Sequence, residues 1–190
     1  MTIIEKARQF VESECFKPTS KYGSGPYVEH FLPMVKHSKK LSSKLGGNLE
    51  VILIAAWLHD IGSIVIGRKD HHITSAKIAK KFLTENNFDP EKTKLVLDCI
   101  RNHRQSTELD QKTLEEKIIA DADAICNFDM LPGLFYASMV VEKLTPVEAA
   151  KSVKAKLQNK WRRLHFKESR ELTRGKYQAA MLLLEEITKL

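Results

Sequence analysis

Apolar positions recur at helical spacing along most of the chain. Ile3, Ile4, Ala7, Phe10 and Val11 predict an amphipathic helix over residues 2–15. Residues 17–27, KPTSKYGSGPY, break the pattern and read as a loop of the kind that forms a rim or lid beside a site. Helical spacing returns from Tyr27 to Leu45. Phe31, Val35, Leu41 and Leu45 can face a core there, with His30, Met34, His37 and Leu41 on the neighbouring face. Gly46-Gly47 ends that helix, and Asn48 caps the next, with Glu50 in its first turn where the helix dipole favours an anion. The next helix contains Leu53-Ile54-Ala55-Ala56-Trp57-Leu58, a run with no polar side, and so reads as buried on all faces. It closes on His59-Asp60-Ile61-Gly62, with the glycine as its stop.

A further helix is predicted from Asp70-His71-His72 to about Asn86, with His72, Ala76, Ala79 and Leu83 sharing a face. Asp89-Pro90-Glu91 opens the next, in which Leu95, Val96, Cys99 and Ile100 are apolar, and it ends at Arg101-Asn102-His103-Arg104. Residues 105–112 form a polar loop. Thr113-Leu114-Glu115-Glu116 is a capping box for a helix whose apolar body carries two carboxylates, Asp121 and Asp123. Pro132-Gly133 breaks it, and Leu134 to Leu144 is again helical. Thr145-Pro146-Val147-Glu148 is a second capping box. The last helix, about 168–189, has Leu172, Ala179, Leu182, Leu183 and Ile187 inward. Strand-like alternation is scarce, so the expected fold is all-α, about eight helices in one domain over residues 1–190.

The three cysteines, Cys15, Cys99 and Cys126, are far apart and odd in number. They argue against a disulfide framework or a thiolate zinc site and read as small buried hydrophobes. The N-terminus has no signal-peptide core and no apolar run reaches the ~18 residues of a membrane span, so a reducing cytoplasm is the default location. The net charge of +7 suits an anionic ligand, a phosphate ester or a nucleic acid, without choosing between them. The basic residues from Lys151 to Lys176 read mostly as a solvated face. No aromatics interleave them in the manner of a stacking platform, and no nucleic-acid reader motif is visible.

Burying His59 and then Asp60 is costly unless both are satisfied. A shared metal ion would satisfy them, and so would a buried ion pair or a hydrogen-bonded His–Asp couple. The chain has seven histidines, and four helices each offer a His or Asp at a buried-looking position: His30, His59-Asp60, His72 or His103, and the Asp121/Asp123 pair. In a helical bundle such side chains can converge on one interior point.

The order His30, then Leu58-His59-Asp60-Ile61-Gly62, then Asp121-Ala122-Asp123-Ala124 resembles the HD-domain metal-dependent phosphohydrolase superfamily. His71-His72-x-x-Ser75-Ala76 and Ile100-x-x-His103 also resemble family positions. The resemblance covers residues 27 to about 130, with the helices of 131–190 expected to pack on that core. It implies that His30, His59, Asp60 and Asp123 are metal ligands. Asp123 is preferred to Asp121 because Ala122-Asp123-Ala124-Ile125 aligns with the family's Ala-Asp-x-Leu. The two carboxylates lie about 200° apart on a helix, so both are not expected on one ion. Asp60 would also steady the attacking water bound to the metal. His72 and His103 would hold a second ion, or meet substrate and protonate the leaving oxygen, while His71 points away and His37 is a decoy. Lys69, Arg101 and Arg104 are candidate phosphate clamps.

A His2Asp2 set suits Mn, Fe, Ni, Co, Mg or Zn, one or two ions per chain. The implied activity is hydrolysis of a phosphomonoester or pyrophosphate bond in a nucleotide or other small phosphorylated molecule. A phosphodiesterase on a cyclic nucleotide or short oligonucleotide is the alternative, and a non-catalytic ligand-sensing domain is a further one. Two departures keep the substrate open: Ala124 stands where some relatives carry a basic residue, and Ser63 where nucleotidases of the family place an acid nearby. A homo-oligomer also stays open.

Overall fold

The computed structural model describes residues 1–104 and 111–189, so most of the polar loop expected over 105–112 lies outside the described residues. These contain no strand and ten α-helices. They are α1 Ile3–Cys15, α2 Leu32–Leu45, α3 Leu49–Leu58, α4 Ile61–Val65, α5 His71–Glu85, α6 Pro90–Asn102, α7 Leu114–Asp129, α8 Leu131–Tyr136, α9 Pro146–Arg162 and α10 Lys167–Ile187. Two π-helical turns, Tyr27–Phe31 and Ala137–Val141, adjoin α2 and α8. The chain groups into two compact units, Met1–Ala122 and Asp123–Leu190.

In the first unit α3 is the centre. It packs on α1, α2 and α6, and every residue from Val51 to Leu58 is buried. Asn48 Oδ1 caps it by accepting the Val51 N–H at 3.2 Å. Val51, Ile52 and Ile54 are indifferent helix formers, so burial rather than propensity holds the helix. Each fully buried Ile or Leu there stabilises by about 1.5–3 kcal/mol. Around it, α5 packs on both α4 and α6. Glu115 Oε1 accepts the Asn48 N–H at 2.9 Å and ties the start of α7 to the start of α3. Glu116 Oε2 accepts from Asn102 Nδ2 at 2.8 Å, and this fixes the end of α6.

Two local features differ from the expected pattern, and each has a cause. Pro33, near the start of α2, has no N–H to give the carbonyl four residues back. The turn before it is π-helical, with Leu32 N–H bonded to Tyr27 O. The buried stripe of α2 accordingly runs through Met34, Ser38, Leu41 and Ser42, and Val35 and Leu45 are half-buried. The second feature is the end of α3. Gly62 is not its stop: α3 ends before it, and Gly62 lies inside α4. The turn is made at Asp60, at φ −113° and ψ 12°. That sparsely populated region is one where site residues often sit.

The second unit has its core at Phe128, Leu134, Ala150, Val153, Leu157 and Leu184. Trp161 and Tyr177 stack beside it with ring centroids 4.5 Å apart. Thr145 and Glu148 form the expected capping box of α9. The inward face of α10 is Tyr177, Ala180, Met181, Leu184 and Ile187, while Leu182 and Leu183 are 70% and 55% exposed. This face is rotated from the expected one because α10 is apolar enough on two sides that periodicity alone does not choose between them.

All three cysteines are buried. Burial pushes the Cys15 thiol up to about 11 and the Cys99 thiol well above its ordinary value, so both stay protonated. No single described helix is long and apolar enough to cross a membrane.

Candidate metal centre

Four local structures bring histidine and aspartate together in the first unit. The π turn before α2 carries His30, the break after α3 carries His59 and Asp60, the first turn of α5 carries His71, and the end of α6 carries His103. His59 is 0% and His103 2% exposed.

The Asp60 carboxylate is the hub. Its Oδ2 lies 3.4 Å from His30 Nε2 and 3.7 Å from His59 Nε2. Its Oδ1 lies 3.2 Å from His71 Nε2 and 3.5 Å from His103 Nε2. His30 Nε2 and His59 Nε2 are 2.9 Å apart. One donor atom from each of Asp60, His71 and His103 lies within 4.8 Å of the others.

Three of these rings are oriented by the backbone. His59 Nδ1 faces Ala56 O at 3.0 Å, His71 Nδ1 faces Arg68 O at 2.9 Å, and His103 Nδ1 faces Ile100 O at 2.6 Å. A carbonyl accepts, so Nδ1 carries a proton and each ring turns its Nε2 toward Asp60. This is how metal-ligating histidines are held. Asp60 Oδ1 is buried yet makes no hydrogen bond of acceptable geometry, although two Nε2 atoms stand close. Imidazole nitrogens gathered around a buried carboxylate oxygen that makes no hydrogen bond fit a cation, and nitrogen with carboxylate oxygen is a borderline-to-hard donor set. Burial works to raise the Asp60 carboxyl, but His59, His103 and His30 outweigh it and hold the group well below the usual carboxylate range. It is therefore an anion at neutral pH.

His72 faces Arg104, with its Nδ1 3.5 Å from Arg104 Nη1, and the adjacent His71 is the one against Asp60. Consecutive helical residues point about 100° apart, and the face chosen from Ala76, Ala79 and Leu83 selects His72. What could have marked His71 is Ser75, one turn further on and 0% exposed. Burial, then the positive Arg104, lowers the His72 pKa, so that ring is neutral at neutral pH. Lys69 is exposed in the connection before α5. Arg101 pairs with Asp98 at 3.4 Å and lines a groove between α5 and α6. His37 is not among the candidate metal donors found among the described residues. In the second unit Asp123 is 9% exposed, and its Oδ2 accepts from Lys160 Nζ at 2.6 Å. Lys160 is thus the partner of a buried carboxylate and departs from the solvated face expected of the basic run on α9. Asp121 is fully buried in the first unit.

Comparison with known proteins identifies the family and the fold. Residues 27–127 match the HD domain family. Ribonuclease Y of Mycoplasma capricolum subsp. capricolum is 32% identical over 108 residues, which are 56% of this chain and 19% of that protein. Ribonuclease Y of Mycoplasma mycoides subsp. mycoides SC matches with the same identity and coverage. The chain thus spans about a fifth of the length of these curated relatives. Among solved structures, an HD-superfamily hydrolase from Bacillus thuringiensis superposes with a TM-score of 0.72 at 19% identity, over 98% of this chain and 95% of that one. A Lactobacillus plantarum protein reaches 0.76 at 15% identity with the same coverage. At those identities the likeness speaks for the fold. The matched family stretch takes in His30, His59, Asp60 and Asp123 together, and the chain belongs to the HD domain family.

Proposed function

We propose that this protein is a metal-dependent phosphohydrolase acting on a phosphomonoester or pyrophosphate bond in a nucleotide or other small phosphorylated molecule. The observation that carries this is the Asp60 carboxylate faced by four imidazole Nε2 atoms, three of them oriented by backbone carbonyls. Membership of the HD family supports metal-dependent phosphohydrolysis in general. The proposed ligands are His30, His59 and Asp60, with Asp123 assigned from its place in the sequence order. A divalent Mn, Fe, Ni, Co, Mg or Zn ion held there would supply Lewis acidity and an acidified water. Asp60 would both ligate the ion and steady that water. His103 would hold a proton or a second ion, and Lys69 and Arg104 would bind phosphate oxygens. A neutral His72 suits holding Arg104 at the rim better than giving up a proton.

A second reading, hydrolysis of a phosphodiester, is favoured by two observations. Asp60, His71 and His103 form a donor group of their own beside His30 and His59, so Asp60 could bridge two ions. The curated relatives that match part of this chain are named as ribonucleases.

Elemental analysis of protein purified without chelator tests both readings, followed by turnover of p-nitrophenyl phosphate, pyrophosphate and bis-p-nitrophenyl phosphate. One equivalent of metal with monoester or pyrophosphate turnover supports the first. Two equivalents with diester turnover support the second. No metal bound and no turnover after Mn and Mg are added back would leave a ligand-sensing domain. Asp123→Ala is expected to cost metal retention on the order of 100-fold, the scale on which a site responds to loss of a supporting group or more. Asp121→Ala should leave retention closer to wild type, and the reverse result in a dialysis titration would exchange the two roles.

A further inference from the structure

The α5–α6 hairpin carries a groove of about 570 Å³ in the first unit. Lys80 and Phe88 line one side, and Thr93, Lys94, Leu97 and Arg101 line the other. Its lining holds three cations and no carboxylate. Two other lysines on these helices are ion-paired, Lys81 with Glu85 at 3.8 Å and Lys92 with Glu50 at 2.6 Å. Lys80 and Lys94 are exposed and have no ion pair among the described residues. Arg101 has one, with Asp98, half open to solvent and so weak enough to yield to a stronger anion.

The cations follow the groove. Lys94, Leu97 and Arg101 lie on one stripe of α6, which spreads Lys94 and Arg101 about 10 Å along the helix axis. The stripe ends in the last turn of α6, next to His103, and α5 begins at His71. The lining runs along the hairpin from the turn at Asn87 to Arg101 in the last turn of α6. A single phosphate would use one of these cations. Spaced cations with a half-buried aromatic, Phe88, match a strand that repeats phosphate and base.

We infer that this groove binds single-stranded nucleic acid, with backbone phosphates on Lys80, Lys94 and Arg101 and a base against Phe88. Its catalytic meaning rests on the phosphodiester reading, whereas strand binding does not require the metal.

The test uses the full chain carrying Asp60→Ala and a fluorescein-labelled single-stranded RNA of about ten nucleotides, within the usual range of site sizes. Anisotropy is followed across a salt series. Adding Lys80→Ala/Lys94→Ala should weaken binding at least tenfold at low salt. It should also flatten the slope of log K against log salt by roughly 1.4, about 0.7 for each phosphate no longer neutralised. Phe88→Leu, which keeps an apolar side chain, should weaken binding about fivefold or more, as expected for loss of one stacked base. In the otherwise wild-type chain, Lys80→Ala/Lys94→Ala should leave metal content and bis-p-nitrophenyl phosphate turnover unchanged. The inference is overturned if the parent does not bind the strand at low salt, or if the double variant keeps its affinity and slope. It is also overturned if the weakening follows Lys151→Ala/Lys154→Ala on α9 instead. Failure of the hydrolase reading would look different: strand binding intact, with no metal and no turnover in the wild-type chain.

Discussion

Asp60→Ala is expected to abolish metal retention and hydrolysis together while leaving the helical fold in place. Both oxygens of this carboxylate are engaged, Oδ2 toward His30 and His59 and Oδ1 toward His71 and His103. Removing it takes the shared anion from every ion these imidazoles could hold. Loss of a group that only supports a ligand typically costs about 10–100-fold in metal affinity. Loss of this residue should cost on the order of 100-fold or more. Metal binding stabilises the native state by mass action, about 2.7 kcal/mol when free metal is 100 times the Kd. Adding Mn should therefore raise the thermal midpoint of the wild type and leave that of Asp60→Ala unchanged. Asp60→Asn is the finer variant, keeping the shape and removing the charge. A wild-type metal response in either variant would mean that Asp60 is not a ligand and that the cluster is a structural ion-pair network.

Gly62→Ala should be the most damaging single methyl group in the first unit. A Cβ at Gly62 would lie 2.2 Å from Thr74 Oγ1, 2.5 Å from Ser75 N and 2.8 Å from His71 O. Two of those atoms are backbone of the first turns of α5, so the helix itself must move. Movement would also break the bond from Gly62 N–H to Ser75 Oγ, now 2.8 Å. Overpacking of this kind usually costs about 1–3 kcal/mol, and the backbone clashes put this case at the upper end or beyond. The shift would withdraw His71 from Asp60. Urea denaturation should show the loss of stability, and metal analysis the loss of any ion that depends on His71. Gly133→Ala is the control: its Cβ would meet nothing within 4 Å, and it should change stability by less than about 1 kcal/mol. Equal effects at the two positions would mean that the α4–α5 approach is softer than these distances imply.

Much of this protein was legible in its sequence because the signals were local. The all-round apolar run before His59 announces a buried helix, and that helix is the centre of the first unit. Asn48, Asp89 and Thr145 are chemical caps, and each caps its helix. The order of His30, His59-Asp60 and Asp123 was enough to indicate the family, because a ligand set is defined by residue types and spacing.

What the sequence left open were choices between neighbours, and these depend on packing. His71 and His72 are chemically identical and adjacent, and the one that meets Asp60 is set by how closely α5 approaches α4. That approach depends on the missing side chain of Gly62, which looks the same in sequence as a helix stop. Pro33 is a visible residue, but its effect on the preceding turn emerges only once its missing hydrogen bond is traced through the backbone. Arg101 and Arg104 end one helix three residues apart, yet one lines the α5–α6 groove and the other faces His72. Residue type, spacing and capping chemistry are properties of the chain itself, and they determined the helices, the family and most of the proposed ligands. Which of two adjacent side chains reaches a shared point depends on helix rotation and helix approach, and only the tertiary structure decided those.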